Sequence, residues 1–297
     1  MTFRSLELLG DIAKPRTERR NAYQLLLNDI RNRLKRGKNA IIVVDGDTGS
    51  GKSTLCMRIA WDMDSLWRQD PETVARGLII FSAAEFTALV GYLLQGGEEW
   101  YRGRFIVFEE AGAGASQALA SSAAVQELGH QLDVFRQWQI NIIFNMPDRS
   151  EIRSLVYRHA HYTIWCRDIN ERERVVIARW KKRVRTENRI AFVNPYLAKA
   201  NILDTKAPGA LMRVPWAPEE VWEAYQYEKR RFFEELNKRS LMRIVRLSRV
   251  RGDLSVSTMR SQFLEMAKQI VPEIADKLDK RVRRIDTERD VLAELGW

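Results

Sequence analysis

The sequence has little cysteine, no long apolar run and no pattern typical of a secreted chain. Only Cys56 and Cys166 occur among 297 residues, so a disulfide framework is not the basis of the fold. Every apolar stretch is far shorter than the roughly 18 residues that a membrane-spanning helix needs. The first ten residues hold one cation, and Glu7 and Asp11 interrupt the apolar positions, which argues against a secretory signal. We therefore expect a cytoplasmic globular protein without a transmembrane segment.

Positive charge is in excess only in the second half of the chain. The whole sequence has 49 Lys and Arg residues against 39 Asp and Glu residues. Residues 1–150 hold 18 of each sign, so the net charge of +10 lies entirely in residues 151–297. Such an excess is typical of a surface that binds a polyanion or an anionic membrane. A solvated surface rich in arginine ion pairs explains it equally well.

Short β-branched runs alternate with helical patterns in the first 150 residues. Strands are predicted at 40–45, 78–81, 104–110 and 140–145, and helices at 17–38, 54–67, 83–95 and 121–138. This alternation predicts an α/β fold with a mainly parallel sheet covered by helices on both faces. Two further strands, at 162–166 and 174–180, are predicted to form a hairpin at the sheet edge.

A glycine-rich loop follows the first predicted strand. The run Gly46-Asp-Thr-Gly-Ser-Gly-Lys-Ser53 fits the G-x-x-x-x-G-K-[ST] phosphate-binding loop, with a β run before it and a helical pattern after it. Backbone N–H groups of such a loop surround the β-phosphate of a nucleotide at a helix N-terminus. Lys52 is predicted to reach the β- and γ-phosphates, and Ser53 to ligate Mg²⁺. The nucleotide-binding residues predicted here are Gly46, Asp47, Thr48, Gly49, Ser50, Gly51, Lys52, Ser53 and Thr54.

Two adjacent acids end the third predicted strand. Four apolar residues precede Glu109 and Glu110, which places the first acid at the carboxyl end of a buried strand. Glu109 is the predicted acid on the Mg²⁺ side, and Glu110 the predicted base that polarises the attacking water. Lys52 and Glu109 are 57 residues apart, which leaves room for an additional strand. Such a strand is typical of hydrolysing motor proteins with a P-loop rather than of most kinases and GTPases.

Together these segments resemble the HerA/FtsK-type P-loop ATPases, and among them the zonula-occludens-toxin-like ATPases of archaeal and phage mobile elements. The resemblance covers about residues 38–180, and 215–233 more weakly. It implies a RecA-like P-loop NTPase fold that hydrolyses ATP with Mg²⁺ and assembles as a homo-oligomer, a hexameric ring being one arrangement. These families usually carry Asp where this chain has Glu109.

The resemblance also implies roles for residues beyond the loop. Asn145 occupies the place of a polar sensor of the γ-phosphate, although an Asn that caps the turn before a proline explains it too. Arg136 is the candidate for an arginine finger that acts across a subunit interface, with Arg149 and Arg153 as rivals. An ordinary surface arginine is an alternative for each of the three.

A dense basic run begins at the end of the predicted hairpin. Residues 179–185 hold five cations and Trp180, a composition that suits contact with a nucleic-acid backbone while the indole stacks on bases. An exposed hairpin with solubilising charges is the alternative. His159 and His161 lie two residues apart, but no third ligand for zinc accompanies them.

The sequence divides into four predicted parts. They are an N-terminal helical segment (1–38), the P-loop ATPase domain (39–190), a proline-rich connection with little regular structure (191–217) and a basic helical C-terminal region (218–297). The predicted function is a Mg²⁺-dependent, ATP-hydrolysing motor that acts on DNA. The alternative is an ATP-dependent assembly protein of the toxin-like branch, and a small-molecule kinase is a weaker third hypothesis.

Overall fold

The structure is a computed structural model that describes residues 21–109, 132, 135–146, 153–185, 190–200 and 202–251. The chain divides into two compact units, residues 1–228 and residues 229–297. The helices are α1 (Asn21–Leu34), α2 (Lys52–Met63), α3 (Leu66–Gln69), α4 (Pro71–Leu78), α5 (Ala83–Tyr92), a π-helical turn (Leu93–Gly97), α6 (Glu98–Tyr101), α7 (Arg153–His159), α8 (Pro195–Lys199) and α9 (Glu219–Arg251).

Eight strands of the first unit form one sheet. The strands are β1 (Ile41–Gly46), β2 (Ile79–Ile80), β3 (Phe105–Phe108), β4 (Asn141–Asn145), β5 (Tyr162–Asn170), β6 (Val175–Arg185), β7 (Ile190–Val193) and β8 (Ala210–Pro215). Their order is β2-β3-β4-β1-β5-β6-β7, and β8 pairs with β6. The first five strands in this order are parallel, and β6, β7 and β8 add antiparallel pairings. The predicted α/β class with a mainly parallel sheet is confirmed.

The strands at the centre of the sheet are buried along their whole length. All residues of β1, β3 and β4 are buried, as expected for parallel strands with helices on both faces. Phe86 of α5 stacks on Phe108 of β3 and on Phe135, with ring centroids 5.4 Å apart in both pairs. Parallel pairing of β4 with both β1 and β3 places the carboxyl ends of the three strands side by side at one edge of the sheet.

The additional strand expected in the sequence between Lys52 and Glu109 is present as β2, but β2 does not lie between the two motifs in the sheet. β2 follows the loop in the chain and lies at the outer edge of the sheet. The strand that separates β1 from β3 is β4, which follows β3 in sequence. The loop and Glu109 therefore lie on strands that are not neighbours, with the end of β4 between them.

Two local predictions are wrong. β6 continues to Arg185, beyond the predicted strand end at 180, so the whole basic run 179–185 lies in a paired strand. Trp180 is fully buried and its Nε1–H donates to the carbonyl of Ala22 at 3.1 Å, so its ring does not stack on a ligand. An indole in an alternating strand faces the core because every second residue of β6 points to the same side.

Residues 191–217, predicted as an irregular connection, contain α8 and β8, and β8 pairs with β6 over six residues. The N-terminal helical segment packs on the same core, because Leu26 and Ile30 of α1 are fully buried. Most of the helix predicted at 121–138 lies outside the described residues. Among the residues that the structure describes, no helix is both long and apolar enough to span a bilayer.

The second unit begins inside α9. Within it, the ammonium of Lys229 lies 5.9 Å from the centroid of the Phe233 ring. The rings of Phe232 and Phe233 meet edge to face with centroids 5.7 Å apart. The basic helical region that the sequence predicts is described through Arg251.

Candidate nucleotide-binding site

The glycine-rich loop joins the end of β1 to the first turn of α2. Gly46, Gly49 and Gly51 have φ angles of 137°, 80° and 89°, in the region that favours glycine. At Gly46 a Cβ atom would lie only 2.4 Å from the carbonyl oxygen of Cys166 on β5. The loop therefore needs glycine at this position both for its backbone angles and for its contact with the neighbouring strand.

Lys52 is the first residue of α2 and folds back over the loop. Its Nζ donates to the carbonyl oxygens of Gly46 at 2.8 Å and Asp47 at 2.7 Å. Ser50 Oγ is buried in the loop without a hydrogen-bond partner among the described residues. The N-terminus of α2, the ammonium group and this hydroxyl together offer an anion several donors, which fits phosphate.

Glu109, Ser53 and Asn145 form a compact polar cluster beside the loop. Ser53 Oγ donates to Glu109 Oε2 at 3.0 Å, and Asn145 Nδ2 lies 2.9 Å from the same carboxylate oxygen and 3.1 Å from Ser53 Oγ. Glu109 follows β3 and is fully buried, and Asn145 ends β4 with 3% of its surface exposed. The three side chains meet because β3 and β4 are neighbours in the sheet and both end beside the first turn of α2.

The cluster has the donor set that a small divalent cation needs. Mg²⁺ prefers oxygen ligands, commonly one or two carboxylates together with waters and substrate phosphates. Ser53 Oγ and Glu109 Oε2 supply two such oxygens within hydrogen-bond distance of each other. The residues therefore fit the ion that the sequence predicts, although Glu109 is one methylene longer than the aspartate usual in the resembling families.

A fourth residue of the cluster was not predicted from the sequence. Tyr225 of α9 is fully buried, and its hydroxyl donates to Glu109 Oε2 at 3.1 Å. Its ring lies 5.1 Å from that of Trp222 and 6.2 Å from that of Phe81, measured between centroids. The periodicity of α9 indicates that Tyr225 is on its apolar face, but no local signal indicates that its hydroxyl reaches a residue 116 positions away.

Thr54 lies in the predicted loop set but serves the packing of the fold. Its side chain is buried, and Oγ1 accepts a hydrogen bond from the backbone N–H of Ala217 at 3.1 Å. Arg58 of α2 donates to the carbonyl of Trp216 in the same segment. The chain that leads into α9 is therefore bound to α2, the helix that carries the predicted phosphate-binding residues Lys52 and Ser53.

The other predicted site residues are not seen at this cluster. Glu110 and Arg149 lie outside the described residues, and of Arg153 only the backbone in α7 is described. Arg136 is exposed and lines a cavity at the other edge of the sheet, where β1 and β5 begin. Within its own chain, Arg136 is therefore not near the P-loop.

Strand order and loop together define the class: the chain has the fold and the phosphate-binding loop of a P-loop NTPase. No protein-family model matches the sequence, and no curated protein matches it either. Among solved structures, it is similar to the AMPPCP-bound DnaA from Aquifex aeolicus, with 19% sequence identity and a TM-score of 0.27. That match covers 47% of this chain and 44% of the DnaA chain.

Proposed function

We propose that the protein is a Mg²⁺-dependent ATPase that uses hydrolysis to move or transfer DNA, as in the HerA/FtsK-type and zonula-occludens-toxin-like proteins of mobile elements that its motifs resemble. The observation that carries the proposal is the cluster of Ser53, Glu109 and Asn145 beside the P-loop. In this arrangement a carboxylate and an amide lie beside the loop from which we expect the terminal phosphates of a nucleotide to extend.

Each residue of the site has a proposed role. The backbone of the loop 46–51 and the start of α2 bind the phosphates, and Lys52 leaves the carbonyls of Gly46 and Asp47 to bind the β- and γ-oxygens. Ser53 and Glu109 would hold Mg²⁺, which when bound would neutralise phosphate charge. Asn145 donates toward the γ-phosphate from the end of β4.

The proton of the attacking water requires a base near the γ-phosphate. We assign this role to Glu110, the residue after Glu109, because a carboxylate accepts a proton that an amide cannot. Arg136 is proposed to act on the nucleotide of a neighbouring subunit in a homo-oligomer. An arginine that stabilises transition-state charge from a second subunit makes hydrolysis depend on assembly.

The activity is tested by measuring phosphate release from Mg²⁺-ATP with and without DNA. We expect hydrolysis that DNA stimulates, and a loss of about 10²–10³-fold in kcat for Lys52→Ala, since one positioned electrostatic partner is removed. Lys199→Ala is the matched control, because Lys199 is an exposed lysine at the end of α8. Both variants should unfold at the same urea concentration as the wild type.

The outcomes distinguish the alternatives. Hydrolysis that does not respond to DNA contradicts the DNA motor and supports an ATP-dependent assembly protein. Stoichiometric nucleotide binding without phosphate release above the Lys52→Ala background contradicts both functions. A kinase would transfer the phosphate to a small molecule rather than to water, which the release of free phosphate excludes.

A further inference from the structure

A basic cavity lies at the opposite edge of the sheet from the P-loop. It has a volume of about 510 Å³ and is lined by Ile41 and Tyr162, the first residues of β1 and β5, whereas the loop follows the last residue of β1. A six-residue strand separates the two sites by roughly 17 Å. Seven of the lining side chains are Arg or Lys, and the described lining residues include no Asp or Glu.

The inner wall of the cavity is held in place by hydrogen bonds. Arg33 of α1 donates from Nε to the carbonyl of Asn39 at 2.5 Å, and its Nη2 lies 2.5 Å from His161 Nε2. His161 Nδ1 accepts from the backbone N–H of Ile41 at 2.9 Å. The guanidinium group of Arg33 is therefore fixed before any ligand binds.

The wall is positively charged and partly shielded from water. Burial lowers the pKa of Arg33, and the nearby charges of Arg36, Arg136 and Arg183 lower it further, while Tyr162 acts in the opposite direction. Burial also lowers the pKa of Arg183. Cations whose protonated form is penalised in this way gain from an anion placed between them.

The rim of the cavity carries cations that are available for a ligand. Lys38, Arg158 and Arg185 are exposed and make no hydrogen bond or ion pair through their side chains with the described residues. Lys182 differs, because its Nζ lies 2.6 Å from Asp29 Oδ1. The carboxylate of Asp29 therefore offsets the charge of Lys182, one of the seven lining cations, and also accepts from the Tyr162 hydroxyl at 2.8 Å.

We propose that this cavity is a second anion site, separate from the P-loop, that binds a ligand with two or more adjacent phosphates. Guanidinium groups bind phosphate through paired N–H donors, and arginines on both wall and rim exceed what a single phosphate can engage. Consecutive backbone phosphates of a nucleic-acid strand and a free oligophosphate share this chemistry. The site requires neither nucleotide binding nor hydrolysis at the loop.

The test measures binding of tripolyphosphate and of single-stranded oligothymidylate by calorimetry. The rim variant is Lys38→Gln, Arg158→Gln and Arg185→Gln combined. The matched control replaces three exposed cations outside the cavity: Arg102→Gln, Lys199→Gln and Lys206→Gln. All measurements are repeated in a Lys52→Ala background, which removes tripolyphosphate binding at the P-loop.

In the Lys52→Ala background we expect one binding site for tripolyphosphate. The rim variant should lower the affinity of this site by about tenfold or more, because the loss of one charge-assisted contact corresponds to about that factor. The control variant should bind as before. If the natural ligand is a nucleic-acid strand, oligothymidylate competes with tripolyphosphate, and the rim variant flattens the plot of log affinity against log salt by about 2 units. If it is a free oligophosphate, tripolyphosphate binds and oligothymidylate does not compete.

Two results would overturn the proposal. One is loss of all tripolyphosphate binding in Lys52→Ala alone, since the P-loop is then the only site. The other is equal affinity in the rim variant and its control. Neither result depends on ATP hydrolysis, so failure of this proposal is distinguishable from failure of the proposed ATPase.

Discussion

The hydroxyl of Tyr225 donates a hydrogen bond to Glu109 Oε2 over 3.1 Å, and both residues are fully buried. The same carboxylate oxygen accepts from Ser53 and from Asn145. A buried carboxylate is costly unless donors surround it, and here the donors come from α2, β4 and α9. Tyr225 of α9 is therefore part of the candidate nucleotide site, and its packing is coupled to the Glu109 carboxylate.

Replacing Tyr225 with Phe should destabilise the protein. The change removes a hydrogen bond to a charged group while the ring contacts remain, so we expect the free energy of unfolding to fall by about 1.5–3 kcal/mol. Urea denaturation measures the difference. Tyr227→Phe is the control, because Tyr227 lies on the same helix with 57% of its surface exposed and should change stability by less than about 0.5 kcal/mol. Equal effects of the two substitutions would show that the hydroxyl contributes nothing.

The two acids after β3 should respond differently to conversion into amides. Glu110→Gln is expected to keep ATP affinity and to lower kcat by at least about 10²-fold, since the amide cannot serve as the proposed general base. Glu109→Gln should instead raise the Mg²⁺ concentration needed for half-maximal activity, because it replaces a charged ligand with a neutral one. Mg²⁺ titrations of ATP binding and of turnover separate the two effects. The reverse pair of phenotypes would mean that the assigned roles are one residue out of register.

The sequence predicts the nucleotide end of the fold well because its signals are local. The loop between Gly46 and Ser53 is one contiguous motif, and the ends of apolar strands place Glu109 and Asn145 at the same sheet edge. Contacts between residues far apart in the sequence are not predicted by such local signals. The burial of Trp180 depends on α1, which precedes it by more than a hundred residues, and a basic run on a strand has no local pattern that tells a solvated face from a cavity wall.

His161 should make stability depend on pH in the acid range. Burial, followed by the charges of Arg33, Arg183, Arg136 and His159, lowers its pKa from 6.5 to about 3. Below about pH 6.5 the unfolded chain therefore takes up a proton that the folded protein does not. Stability is fully present above that pH and falls as the pH decreases toward about 3, by at most about 1.4 kcal/mol per pH unit.

His161→Asn tests this dependence, because an amide oxygen can still accept from the N–H of Ile41 and does not titrate. Unfolding free energies from urea denaturation at several pH values between about 6 and 4 should decline less steeply in the variant than in the wild type. Curves that stay parallel over this range would show that His161 is not the group responsible. Added tripolyphosphate provides a second readout, since an anion bound in the cavity stabilises the protonated imidazole and should reduce the slope of the wild type.

Two glycines of the P-loop have similar backbone angles and can be compared directly by substitution with alanine. Gly49 and Gly51 have similar positive φ angles of 80° and 89°, so an alanine at either position carries a comparable backbone cost of about 1–2 kcal/mol. Their surroundings differ. A Cβ at Gly49 would meet nothing within 4 Å, whereas a Cβ at Gly51 would lie 2.8 Å from Ile169 Cγ1 and 2.9 Å from Val176 Cγ2.

Gly51→Ala should therefore lower the free energy of unfolding more than Gly49→Ala does. The expected difference is about 1–3 kcal/mol, the usual cost of overpacking against side chains that cannot move freely. Urea denaturation of both variants gives the difference directly. Ile169→Ala combined with Gly51→Ala should recover part of the loss relative to the sum of the single substitutions, because the truncated side chain vacates the space that the new methyl group needs. Equal destabilisation by the two glycine substitutions, or strict additivity in the double variant, would contradict close packing of the β5–β6 hairpin against the phosphate-binding loop.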